Sequence, residues 1–263
     1  MVARDDWRGL LNSRGDPEEV LVIEQPLSQS VAGGAGSFPA EASDGQQWWV
    51  KPANNRHAGK VIVTEYLVGS LGKLINAPTC EVAIARIPEE IADFEFVPGE
   101  KLVPGLVHAS LGVDNAQELR TLEHRQRDHN PRRHVGVLSL YDWCWGGDPQ
   151  WLYNAGDDQK LYSHDHGWYF PPEGPDWTEP ELLNQVDQPH EFAHPTDGLD
   201  MNAVEEFAMK LEQLSKDNLL PILNSVPMSW PVSDSELEAL GFFLERRAPA
   251  VAGRLRKING GSS

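Results

Sequence analysis

A chain of 263 residues has room for one large domain or two lobes and for a substantial core. With 40 Asp and Glu against 22 Lys and Arg, its net charge of −18 argues against a basic face for a nucleic-acid backbone. A local cluster such as Arg120 to Arg133 still carries enough charge to bind one phosphate. A hydrophobic content of 40% with nine Trp excludes a disordered chain. Cys80 and Cys144 stand without CxxC or Cys/His spacing and read as buried thiols of a reducing cytoplasm. The first residues are too charged for a signal peptide, and no apolar run approaches a membrane span. A soluble cytoplasmic protein with neither nucleic-acid nor membrane partners is expected.

Residues 18–25 read as a strand, rich in β-branched side chains. A flexible tract follows from Ser28 to Ser37, with glycines at 33, 34 and 36. Pro39 to Ser43, the tight turn Asp44-Gly45, and Gln46 to Lys51 read as strand, turn, strand. Val61 to Leu74 has helical periodicity closed by Pro78, and Glu81 to Ile87 reads as a further strand. The character changes near Pro98 to Gly105, which divides an α+β chain into a β-rich front (1–104) and a mainly helical rear (105–263). Ala116 to Arg127 is expected as a helix, and Val135 to Trp145 as a buried one. Trp151 to Tyr153 and Lys160 to Ser163, joined by a turn, predict a hairpin. Residues 171–198 read as a loop, and 200–216 and 233–257 as closing helices.

Chemistry concentrates at a few of these positions. Lys51 ends an aromatic strand (Trp48, Trp49, Val50), and an ammonium buried there needs an anionic partner. Glu65, fourteen residues on and inside the expected helix, can supply it. A strand lysine paired to a helix glutamate beneath a glycine loop is how protein kinases orient nucleotide phosphates. Asp148 and Asp165 flank the hairpin, one at its entrance and one at its exit. Magnesium takes oxygen ligands, usually one or two carboxylates plus phosphates, and Gln150 adds an amide oxygen. His164 and His166 flank Asp165, while His190 and His194 lie four apart between Pro189 and Pro195. Those prolines disfavour a helix, so hydrogen-bonded or solvated loop histidines are expected rather than a transition-metal site. Trp143, Trp145, Trp151 and Trp168 read as core packing, not as a base-stacking platform.

Gly33-Gly34-Ala-Gly-Ser-Phe-Pro39 through Asp44-Gly45, with Trp49-Val50-Lys51, resembles the start of HipA-like kinases, in particular their short actinobacterial and phage-type branch. Thr64-Glu65-Tyr-Leu67 resembles the helix that follows, and Gly105 to Ser110 the segment joining the lobes. Leu140 to Gln150 resembles the family's catalytic loop, His164-Asp165-His-Gly167 its metal-binding turn, and Phe242 to Arg247 its last helix. The resemblance spans roughly residues 20–257 and implies a two-lobed protein-kinase-like fold holding ATP and Mg²⁺ between its lobes. It further implies a kinase that moves the γ-phosphoryl of ATP to a hydroxyl of a protein (Ser/Thr) or small molecule. By position Lys51 would contact the α/β-phosphates and pair with Glu65, beneath a loop that includes Gly33, Gly34, Gly36 and Ser37. Asp148 would be the catalytic base, Asp165 the main metal ligand and Gln150 its assistant. Two departures stand out: Pro149-Gln150 follows Asp148 where many kinases carry a basic residue and then an asparagine, and the metal turn reads Asp-His-Gly. They motivate a second reading, a pseudokinase or nucleotide-sensing module, and a third is an acidic adaptor without a nucleotide site.

Overall fold

The computed structural model describes residues 2–12, 14–30, 34–57 and 59–258. A 3-10 turn at Arg4–Trp7 precedes β1 (Leu21–Pro26), β2 (Phe38–Ala42) and β3 (Gln47–Lys51). Asp44-Gly45 reverses the chain between β2 and β3. Gly45 takes φ +73, and its N–H donates to Ala42 O at 2.8 Å. α1 (Val61–Ile75) ends three residues before Pro78, because Asn76 turns left-handed (φ 61) and its N–H reaches the last carbonyls. After β4 (Val82–Ile87), the small ribbon of β5 (Glu95–Val97) and β6 (Glu100–Lys101) leads into β7 (Gly105–Leu111).

The five longer strands close a barrel in the order β1-β2-β3-β7-β4, with β1 and β4 parallel at the seam. Its interior holds Ile23, Phe38, Trp48, Val50, Ala85 and Val107. β7 pairs with both β3 and β4, so the strand that a division after residue 104 leaves with the helical rear is hydrogen-bonded into the front. Trp49 points outward and is half-exposed, so the Trp48-Trp49 pair is split between core and solvent.

The rear comprises β8 (Ala116–Leu119), α2 (Asn130–Trp143), the hairpin β9 (Trp151–Asn154) and β10 (Lys160–Ser163), then α3 (Glu179–Gln185), α4 (Met201–Glu212), α5 (Lys216–Asn224) and α6 (Asp234–Leu255). The helix expected over Ala116 to Arg127 does not form. Its first four residues pair with β9, and His124 and Asp128 take positive φ (51 and 38), which no α-helix tolerates. Pairing to β9 outweighs the local helical signal. Pro180 and Pro221 mask α3 and α5 in the sequence, yet each helix starts on a capping box, Thr178/Glu181 and Ser215/Asn218. A second, larger core joins α1 to all of these helices and to Trp7. Trp7 lies against Gly241 of α6, where any Cβ would collide with the indole, and its Nε1 donates to Glu245 at 2.7 Å.

Candidate active site

Strand β3 delivers Lys51 to the barrel rim facing α1, where only 6% of the residue is exposed. Its Nζ donates to Glu65 Oε1 and, at 2.8 Å, to Asp165 Oδ1. Glu65, 3% exposed, has further work: its carboxylate accepts the backbone N–H groups of His166 at 2.8 Å and Gly167 at 3.1 Å. One side chain of α1 therefore orients the lysine and holds the Asp-His-Gly turn. Gly167 must be glycine for this approach, since a Cβ there would sit 2.9 Å from Val61 Cγ1 and 3.2 Å from Glu65 Oε1. Asp165 follows the hairpin's second strand in a left-handed conformation (φ 52), and its side chain keeps 39% of its surface open.

Electrostatics agrees with the geometry. Burial disfavours the Lys51 ammonium, but the Glu65 and Asp165 carboxylates outweigh it and raise its pKa above the usual lysine range. Burial also works against Asp165, yet Lys51 holds its carboxyl well below the usual range, so it is ionised. Glu65 is pushed up to about 7, chiefly by burial and against the pull of Lys51. Three imidazoles surround the cluster, His108 opposite Lys51 in the β3/β7 ladder and His164 and His166 beside Asp165. Burial keeps them neutral, His164 pushed down to about 4, His166 to about 3 and His108 well below its usual value.

Asp148 lies at the other end of the hairpin, also left-handed (φ 41). Gly146-Gly147 sets its place: a Cβ on Gly147 would collide with the Trp168 carbonyl, and one on Gly146 with the Tyr141 ring. The loop carrying Asp148 is thus packed on the segment that follows the Asp-His-Gly turn. His190 closes it from outside, stacked on Trp145 at 4.3 Å with Nε2 2.6 Å from Gly146 O. Beneath, the buried Arg247 of α6 donates to the carbonyls of Asp142 and Trp143 at the end of α2 and to Gln185 and Gln188. Burial lowers its pKa to about 10, still charged at neutral pH. Asp148 is not bonded to Lys51, Glu65 or Asp165. Its Oδ1 accepts from Arg120 Nη1 at 2.5 Å and its Oδ2 from Gln150 Nε2 at 2.7 Å.

The glycine tract is described only in part. Gly33 lies outside the described residues. Gly36 takes φ +73 and packs against the Phe96 ring, and Gly34 lies against His57. Ser37 and Lys51 each stand one residue beyond the last β2/β3 pair, Phe38↔Val50. The tract therefore ends at the lysine.

Of the candidate residues, Lys51, Glu65 and Asp165 form one bonded cluster, while Asp148 and Gln150 form another with Arg120. Gln150 bonds through its amide nitrogen to Asp148, not to Asp165. Sequence reasoning named Arg120 only within a phosphate-binding cluster, His190 only as a loop histidine and Arg247 only within the last helix, and gave none of them a place at this site. A charge on the apolar face of the last helix is the signal for Arg247, no signal placed His190 beside this loop, and the helix expected over 116–127 hid the contact of Arg120 with Asp148. His190 and His194 stand in a loop segment without helix. Among the described residues no group of three or more His, Cys, Asp or Glu side chains is placed to hold a metal. The donors that Asp148, Gln150 and Asp165 offer are the hard oxygens magnesium takes when phosphates supply its remaining ligands, so the residues fit that ion.

A strand barrel over a helical rear, with a lysine–glutamate pair on one side and two hairpin aspartates on the other, defines a protein-kinase-like fold. A sequence profile described as HipA-like kinase matches residues 23–252, and the chain belongs to the HipA-like kinase family. No curated protein matches it. Among solved structures it is similar to the proinflammatory kinase CtkA of Helicobacter pylori, with TM-score 0.59 and 10% identity over 90% of this chain and 95% of that one. It is also similar to the Golgi casein kinase, with TM-score 0.50 and 11% identity over 97% of this chain and 76% of that one. At such identities the likeness is one of fold. Among the described residues no helix is long and apolar enough to cross a membrane.

Proposed function

We propose that the protein is an ATP- and Mg²⁺-dependent phosphotransferase that moves the γ-phosphoryl group to a hydroxyl of a protein Ser/Thr or of a small molecule. The observation that carries this reading is Lys51 bonded at once to Glu65 and Asp165 at the barrel rim. Phosphoryl transfer needs positioning and charge neutralisation more than covalent chemistry from the protein. Lys51 would hold the α/β-phosphates beneath Gly34, Gly36 and Ser37, with Gly33 in the same loop. Asp165 would hold the magnesium and Gln150 would assist. The metal, when bound, supplies neutralisation of charge on the phosphate oxygens. Asp148 would take the proton of the acceptor hydroxyl as its oxygen bonds to the γ-phosphorus, while the bond to the β-bridging oxygen breaks and ADP leaves with that electron pair. The proposed division into a front lobe (1–104) and a rear lobe (105–263) moves past β7 (Gly105–Leu111), which pairs with β3 and β4, and the buried thiols Cys80 and Cys144 suit a reducing compartment.

A second reading has its own observation: Asp148 is held by Arg120 and followed by Pro149-Gln150, as a nucleotide-binding pseudokinase would allow. A thermal shift with Mg·ATP tests the primary reading. The unaltered protein is stabilised, by about 2.7 kcal/mol at a hundredfold excess over Kd, and Asp165→Ala loses most of the shift. An undiminished shift in that variant would count against the assignment.

A further inference from the structure

We propose that Arg120 is the cation that neutralises the transferring phosphoryl group, and that its ion pair with Asp148 is the resting form of a contact exchanged for the terminal phosphate of the nucleotide. This deepens the reading of the cleft as a nucleotide site and rests on it. The catalytic loop itself has no such cation, because Pro149 and Gln150 follow Asp148. The fold supplies one from elsewhere. β8 ends at Leu119, which pairs with Trp151 at the start of β9, and the next residue, Arg120, brings its Nη1 to 2.5 Å from Asp148 Oδ1. Gln150 meanwhile fixes the other oxygen of that carboxylate.

The guanidinium is suited to the exchange. It carries five N–H donors and spends one of them on Asp148. Its side chain is 66% exposed, and ion pairs so open to water contribute little, so this one parts readily. The hydrogen bond and charge of Asp148, and the charges of Glu118 and Asp165, raise the guanidinium pKa, so Arg120 stays charged. A γ-phosphate entering there offers a planar fork a better partner than a carboxylate already bound to Gln150. The exchange also frees Asp148. Released, it takes the proton of the acceptor hydroxyl as the acceptor oxygen bonds to the γ-phosphorus and ADP departs with the electrons of the broken P–O bond. Nucleotide binding thereby prepares the base for the acceptor.

The test compares Arg120→Gln and Arg120→Lys with the unaltered protein by calorimetric titration of Mg·ADP and a non-hydrolysable Mg·ATP analogue, and by turnover. The unaltered protein is expected to prefer the analogue to ADP, and Arg120→Gln to lower that preference about tenfold with ADP affinity unchanged. The same variant should lower kcat about a hundredfold, and Arg120→Lys should restore part of both. An analogue-to-ADP preference equal in Arg120→Gln and unaltered protein overturns the inference and leaves the nucleotide site standing. An unaltered protein that binds neither nucleotide overturns both.

Discussion

Replacing Glu65 with Leu removes the acceptor of Lys51 Nζ and of the His166 and Gly167 N–H groups in one step. Breaking a buried ion pair by deleting one partner costs about 3–5 kcal/mol, and since Lys51 keeps Asp165 at 2.8 Å the lower end applies. Two backbone donors left unpaired add about 1 kcal/mol each. The sum, about 5 kcal/mol, corresponds to a fall in Tm of about 10–20 °C for a chain of this size. Thermal and urea unfolding followed by circular dichroism reads it directly. By the same physics Lys51→Met/Glu65→Leu recovers about 1–2 kcal/mol, because it removes a buried ammonium left with Asp165 alone, at the smaller cost of leaving the partly exposed Asp165 carboxylate without its cation. A double variant no more stable than Glu65→Leu alone would refute the claim that the lysine is held by this carboxylate.

Acid should unfold the protein steeply. Burial keeps His108, His134, His164 and His166 neutral in the fold, with pKa values depressed to about 3 for His134 and His166 and about 4 for His164, while the unfolded chain protonates them near 6.5. Their contribution is present above about pH 6.5 and lost as pH falls toward 4, at up to about 1.4 kcal/mol per pH unit for each group. Glu65, raised by burial to about 7, acts in the opposite sense, losing its contribution as pH rises from 4.5 through 7, but it is one group against four. A urea midpoint flat between pH 7 and about pH 5 would contradict this. Gly167→Ala should destabilise by about 1–3 kcal/mol through the contacts with Val61 and Glu65, and weaken Mg·ATP binding. An alanine variant with unchanged melting and affinity would show that the turn is not held where α1 holds it.

Much of the front is legible because its signals are local. Asp44-Gly45 between two aromatic and β-branched runs specifies a hairpin, and Glu65 falls on the inward face of a periodic helix. Lys51 pairs with Glu65 on residue type and position alone, because a charge at the end of an apolar strand needs a partner. The missing parts depend on tertiary contacts. β8 is a strand only because β9 lies beside it, and reading it as a helix hides that Arg120 meets Asp148. β7 reads as a connector because its partners, β3 and β4, are far away in the chain. α5 is obscured by Pro221, whose missing N–H the helix tolerates while its Leu219 and Leu223 stay buried. The site divides along the same line. The Lys51–Glu65–Asp165 cluster follows from residue types and order, whereas the partner of Asp148 depends on which strand runs against the hairpin.

The central proposal is phosphoryl transfer in this cleft with Asp148 as its base. The direct measurement is Mg²⁺-dependent transfer of the ³²P label of γ-labelled ATP to protein or to water, by the unaltered chain and by Asp148→Asn, with Mg·ATP affinity measured alongside. Turnover by the unaltered protein is expected to fall about a hundredfold or more in Asp148→Asn, while Mg·ATP affinity is kept or tightened because Arg120 is released. Equal turnover in the two proteins, or tight nucleotide binding by the unaltered chain with no transfer to any hydroxyl, would contradict it.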